Sequence, residues 1–148
     1  MDSWLDFIKN KIDPDMMEKA LKEEDEGRDV ATFLLDNKSA SKKDLLSAMS
    51  HYYKLPSVDL EYYYPDRDST GKITEEIARR FLIVPLFQLD DKLYVALKDP
   101  DNLTVQNYIR QLTGLEVEPV LSLEPDLNSS INRVYLTKEE TAKKMVGY

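Results

Sequence analysis

Ile73-Thr-Glu-Glu-Ile-Ala-Arg-Arg-Phe-Leu-Ile-Val-Pro-Leu86 is the start of the stretch that decides the fold. It continues through Lys92-Leu-Tyr-Val-Ala-Leu-Lys-Asp-Pro-Asp-Asn102 and Thr113-Gly-Leu-Glu-Val-Glu-Pro-Val-Leu121. Thr74 is a helix-capping residue, and Ile77, Ala78 and Phe81 give the helix that follows one apolar face. Residues 84–89 and 92–97 read as strands joined by Asp90-Asp91, a two-residue hairpin signal. In the second strand Leu93, Val95 and Leu97 share one face, and Tyr94 and Ala96 take the other. Asp99-Pro-Asp-Asn102 turns into a helix whose apolar stripe is Val105, Ile109 and Leu112, with Gly114 as its stop. Residues 117–121 form a third strand, and Pro119 inside it predicts an edge position or a bulge. Leu127, Ile131 and Val134 mark a last amphipathic helix.

Upstream the grammar is helical. Leu5, Ile8 and Ile12 begin an apolar stripe, and Asp13-Pro14 starts a new helix: Asp13 caps, and Pro14 suits the first helical position. Met17, Ala20 and Leu21 form its inner face, and Gly27 ends it. The pattern recurs about 28 residues later. Phe33 and Leu35 fall on Leu5 and Phe7, and Ser41 falls on Asp13. Leu45, Ala48 and Met49 fall on Met17, Ala20 and Leu21. Ser41-x-x-Asp44 resembles a capping box. This is a degenerate tandem repeat in which neither copy can bury its apolar face alone. Residues 57–60 read as extended, and residues 61–71, with three consecutive tyrosines, read as a loop. The expected architecture is α+β. A helical tandem-repeat subdomain spans 1–56. A small, sandwich-like α/β subdomain with a three- to four-stranded sheet spans 57–136. Residues 137–148 are expected to be a tail or linker stump.

Composition narrows the function. The chain has 148 residues, a formal net charge of −8 and no cysteine. Disulfides and thiolate metal sites are excluded, and a reducing cytoplasm fits. An acidic surface repels phosphate backbones, which argues against nucleic acid as a partner. No apolar run approaches the roughly 20 residues that span a bilayer, and the acidic start lacks a signal-peptide core. Direct membrane insertion is therefore not expected, and localisation is read as cytoplasmic, with recruitment to the inner membrane through a partner.

Catalytic constellations are missing. His51 is the single histidine, with no nucleophile and carboxylate arrangement to complete. Glu23-Glu24-Asp25-Glu26 reads as a solvated helix end and lacks the ligand alternation of a calcium loop. No Gly-x-x-x-x-Gly-Lys-Ser/Thr occurs, and only 4 glycines are present, so a glycine-rich nucleotide loop is excluded. No cofactor and no metal are expected. Two groups of residues suit partner binding. Arg79 and Arg80 lie on the helix after Thr74. Tyr52, Tyr53, Tyr62, Tyr63 and Tyr64 flank the junction of the two subdomains, where they either pack the subdomains together or meet a partner. Trp4, the only tryptophan, either packs in the first repeat or anchors a partner.

In order and spacing, Leu55-Pro-Ser-Val-Asp-Leu60, Ile73–Arg80, Val84-Pro-Leu86, Leu93–Pro100 and Thr113–Val117 together resemble the N-terminal domain of the ATPases of type II secretion and type IV pilus assembly. This is the N-terminal domain family of type II secretion protein E, which includes MshE-like N-terminal domains. The resemblance covers residues 3–136. It implies a domain that docks on the cytoplasmic part of an inner-membrane assembly protein and couples it to an ATPase body. Some members of the family bind cyclic di-GMP through two copies of a motif: Arg-Leu-Gly, a mid-motif Gly and a closing Gln. The 28-residue repeat looks like those copies, but the polar positions differ. In the second copy Asp29, Val30 and Ala31 replace Arg-Leu-Gly, Lys38 replaces the mid-motif Gly, and Tyr52 replaces Gln. In the first copy Met1-Asp-Ser3, Asn10 and Glu24 stand at those places. Leu34, Leu35, Leu45 and Met49 keep the apolar framework, and Arg28 lies one position early for the missing arginine. By motif position, the residues for a cyclic dinucleotide are Arg28, Leu34, Leu35, Leu45, Met49 and Tyr52. An Asp for a cation, and side chains where Gly permits backbone approach, weigh against that ligand. The first expectation is a non-catalytic docking module of a secretion or pilus ATPase, or a stand-alone adaptor copy. The alternative is a cyclic di-GMP sensor with a degenerate motif.

Overall fold

The computed structural model describes residues 3–135. The expected tail over 137–148 lies outside the described residues. The helical half comprises α1 (Pro14–Asp25), α2 (Val30–Asp36) and α3 (Lys42–Tyr53). The repeat is visible in the backbone. α1 and α3 each contain 12 residues and start 28 positions apart, at Pro14 and Lys42. Asp13 accepts a hydrogen bond from Met16 N, and Ser41 accepts one from Asp44 N at 3.1 Å. Each side chain satisfies an amide that has no partner inside its helix.

Leu5, Ile8 and Ile12 are buried, but not on an α-helix. Leu5 lies in a 3-10 turn, Trp4–Phe7, Ile8 links it to a second, Lys9–Lys11, and Ile12 follows that one. Pro14 disfavours helical backbone at Asp13, which separates these turns from α1. Leu34 and Leu45, both fully buried, pack with Ala20, Ala31, Ala48 and Met49 into one apolar cluster.

The α/β half contains α4 (Arg67–Thr70), α5 (Glu75–Phe81), β1 (Val84–Leu89), β2 (Lys92–Leu97), α6 (Leu103–Thr113), β3 (Glu116–Leu121) and α7 (Glu124–Val134). The sheet order is β1-β2-β3. β1 and β2 are antiparallel across Asp90-Asp91, with a register shift between Pro85 and Phe87. β2 and β3 are parallel, and α6 is the crossover that such a pair requires. Thr74 caps α5 and Asn102 caps α6. Gly114 ends α6 at φ 73°, a conformation that side-chain-bearing residues adopt at a cost. Pro119 lies in an edge strand, where its missing N–H costs little.

Residues 57–60 run beside the end of β3. Val58 N donates to Leu121 O at 2.9 Å, and Leu121 N donates to Pro56 O at 2.8 Å. The stretch 61–71, expected as a loop, contains α4. Asp66 caps it, accepting from Ser69 N at 3.2 Å and from Ser69 Oγ at 3.0 Å. Asp66 N also donates to Leu86 O at 2.8 Å, which holds the segment against the outer edge of β1.

Leu60, Ile73, Ile83, Leu86, Leu93, Val95, Ile109, Leu127 and Ile131 form the α/β core. Leu121, the last residue of β3, and Leu123, just after it, belong to the helical cluster. Burying a side chain of this size contributes about 1.5–3 kcal/mol. The stripe predicted for α6 holds at Val105 and Ile109 only: Leu112 is 49% exposed.

Candidate functional site

The motif positions of the helical half separate into two groups. Leu34, Leu45 and Met49 are in the core, and Leu35 is half-buried against it. Arg28 and Tyr52 are exposed. Asp29 caps α2 by accepting from Thr32 N at 3.1 Å. Arg28 donates to Glu23 at 2.9 Å and pairs with Glu26 at 2.7 Å. The hydrogen bond to Glu23, and then the charges of Glu23 and Glu26, raise its pKa above the ordinary value. Beside it runs a cleft of about 740 Å³ whose lining includes Glu23, Asp29, Asp36 and Glu124 against Arg28 and Lys98. Four carboxylates against two cations make a poor seat for a phosphate diester. Lys38 holds φ at 56°, the left-handed region that favours glycine.

Tyr52 stands edge-on to Tyr53 at 4.9 Å and lies 6.2 Å from Phe7, whose ring is 4.6 Å from His51. Trp4 is half-buried against the helical cluster. Tyr63 is half-buried against the α/β core, and burial raises its pKa. Tyr62 and Tyr64 are 83% and 66% exposed, so these two rings do not pack the halves together. Pro65, buried, and Leu60 anchor the loop while the two rings project outward.

Two lysines join the halves, and neither drew notice in the sequence. Lys42, in the first turn of α3, reaches Asp59 at 3.1 Å, Glu61 at 2.8 Å and Asp126 at 3.1 Å. Burial would lower its pKa. Hydrogen bonds to Glu61, Asp126 and Asp59 outweigh that, and the net shift is upward. Lys98, just after β2, pairs with Glu124 at 2.8 Å and reaches Asp29 at 3.9 Å. A signal for Lys42 did exist. A cation in the first turn opposes the helix dipole, so it calls for a specific anionic partner.

On the α/β half, Arg79 pairs with Glu75 at 2.8 Å, one helical turn back. Arg80 lies 5.3 Å from the centre of the Phe81 ring. Among the described residues no group of three or more His, Asp and Glu is placed to hold a metal ion. No helix among them is long and apolar enough to cross a membrane.

This α+β body, with its three-stranded mixed sheet and paired helical repeat, is of a known class. The model of the MshEN domain family matches residues 53–141, and the chain belongs to that family. Among solved structures, MshE with cdg (cyclic di-GMP) superposes with a TM-score of 0.70 at 24% identity, covering 91% of this chain and all of that one. The N-terminal domain of XpsE superposes with a TM-score of 0.64 at 19% identity, covering 90% of this chain and 94% of that one. These likenesses extend through the helical half and establish the fold. Curated relatives are type IV pilus assembly ATPases PilB. The protein from Myxococcus xanthus is 27% identical over 93% of this chain, and that from Acinetobacter baylyi is 31% identical over 64%. The chain spans 25% and 16% of their respective lengths.

Proposed function

We propose that this chain is a non-catalytic docking and regulatory module of a type II secretion or type IV pilus assembly ATPase, or an adaptor copy of one. It binds the cytoplasmic part of an inner-membrane assembly protein, and it works in the cytoplasm, recruited to the membrane by that partner. The observation that carries the reading is the family match over residues 53–141 in a sequence that holds no Gly-x-x-x-x-Gly-Lys-Ser/Thr. The division into 1–56 and 57–136 belongs to the same proposal. Two separate apolar clusters support it, with Leu121 and Leu123 reaching from one side to the other. The test is a titration of the chain with the purified cytoplasmic domain of an inner-membrane assembly protein from the same organism. Saturable binding, with no ATP turnover by the chain alone, is expected. Absence of binding would remove the docking role, and turnover would remove the non-catalytic one.

A second reading, a cyclic di-GMP sensor, is favoured by the neighbour MshE with cdg and by the left-handed backbone at Lys38. Three observations oppose it. Arg28 is held by two carboxylates, Asp29 is spent on a helix cap, and Leu34, Leu45 and Met49 are buried. Calorimetry with cyclic di-GMP is expected to be flat. Saturable micromolar heat that Arg28→Ala abolishes would establish the sensor instead.

A further inference from the structure

Where α5 meets α6, exposed aromatic and aliphatic side chains lie beside an arginine. The Phe81 ring on α5 lies 5.4 Å from the Tyr108 ring on α6. Leu112, four residues on from Tyr108 and so on the same helix face, is 49% exposed. The Arg80 guanidinium lies over Phe81, and no carboxylate among the described residues is within ion-pair distance of it. Its neighbour Arg79 is neutralised by Glu75. The result is one contiguous patch of Phe, Tyr and Leu carrying an arginine that has no ion pair among the described residues, on a chain of net charge −8.

Aromatic residues and Arg are enriched at the centres of protein interfaces, where a guanidinium on an aromatic ring is more easily stripped of water than an ammonium. With no ion pair to Arg80 among the described residues, this patch is complementary to the opposite sign. We propose that Arg80, Phe81, Tyr108 and Leu112 form the docking face, and that its partner is a protein segment presenting apolar side chains flanked by Asp or Glu. An apolar side chain of the partner covers Leu112 and Tyr108, and a carboxylate pairs with Arg80. The inference rests on the docking reading above and adds the face and the partner's chemistry to it.

A photo-crosslinking side chain at position 112, and separately at 62, tests this in cells producing the chain, with crosslinked segments identified by mass spectrometry. Position 112 is expected to capture a segment in which Asp and Glu outnumber Lys and Arg. Arg80→Glu is expected to cut that yield at least tenfold and Arg80→Lys to restore part of it, with an unchanged thermal midpoint verifying that the variants fold. The face is refuted if position 112 captures nothing, a basic segment, lipid or a second copy of this chain, or if Arg80→Glu leaves the yield unchanged. The two claims fail separately. Capture of an assembly protein at position 62 alone removes the face and keeps the docking role. Capture at 112 of an acidic segment from a protein of another class keeps the face and removes the assembly-protein partner.

Discussion

Lys38 shows how one backbone angle can be read as a stability experiment. At φ 56° a side chain is held in a region that costs roughly 1 kcal/mol or more for an L-residue, and glycine occupies it freely. Lys38→Gly is therefore expected to stabilise the fold by about 0.5 kcal/mol, net of the greater freedom of glycine in the unfolded chain, as read by urea denaturation. Tyr135 makes a pH prediction. Its hydroxyl donates to Thr70 O at 3.0 Å, and burial, followed by the charge of Glu75, pushes its pKa up to about 12 from an ordinary 10.0. The folded state thus keeps the proton longer than the unfolded chain. Tyr135 contributes stability in full below pH 10, and that contribution declines as pH rises to about 12. Tyr135→Phe should be flatter than the parent over that interval in denaturation measured at stepped pH.

Elements were legible wherever local chemistry defines them. Thr74, Asn102 and Gly114 bound α5 and α6 because caps and left-handed stops act within a few residues. The hairpin at Asp90-Asp91 follows for the same reason. What periodicity could not convey was extent. It assigns Leu112 a direction on α6 but not a neighbour to cover it, and burial on α6 stops at Ile109. The motif framework was legible as apolar spacing, and Leu34, Leu45 and Met49 are buried as a face shared between two repeats requires. The cation in the first turn of α3 was the only signal for Lys42, and it could not name a partner such as Asp126, 84 residues away. That cluster makes a prediction at this scale. Lys42→Met leaves Asp59, Glu61 and Asp126 facing one another without their cation. A loss of about 1–2 kcal/mol is expected by chemical denaturation, less than for a fully buried pair because Glu61 is exposed to solvent. Adding Asp126→Asn to Lys42→Met should recover part of it, a coupling that a double-mutant cycle measures.

At the scale of the whole molecule, the two apolar clusters meet at the end of β3. Leu121 is fully buried in the helical cluster while its backbone is bonded to Pro56 and Val58. Leu121→Ala is expected to cost about 2–5 kcal/mol. In the parent, the fluorescence of Trp4, which reports on the helical half, and far-ultraviolet circular dichroism, which reports on all helices, should give coincident unfolding curves. Separate midpoints would mean that the halves unfold independently. The consequence reaches beyond stability. The residue that closes the sheet also completes the helical packing, so displacement of β3 passes to α3 through side chains in contact, with no slack joint to absorb it. If the unfolding curves coincide, a push on one end is expected to reach the other as through a lever; separate midpoints would mean two lobes that merely tether what they hold.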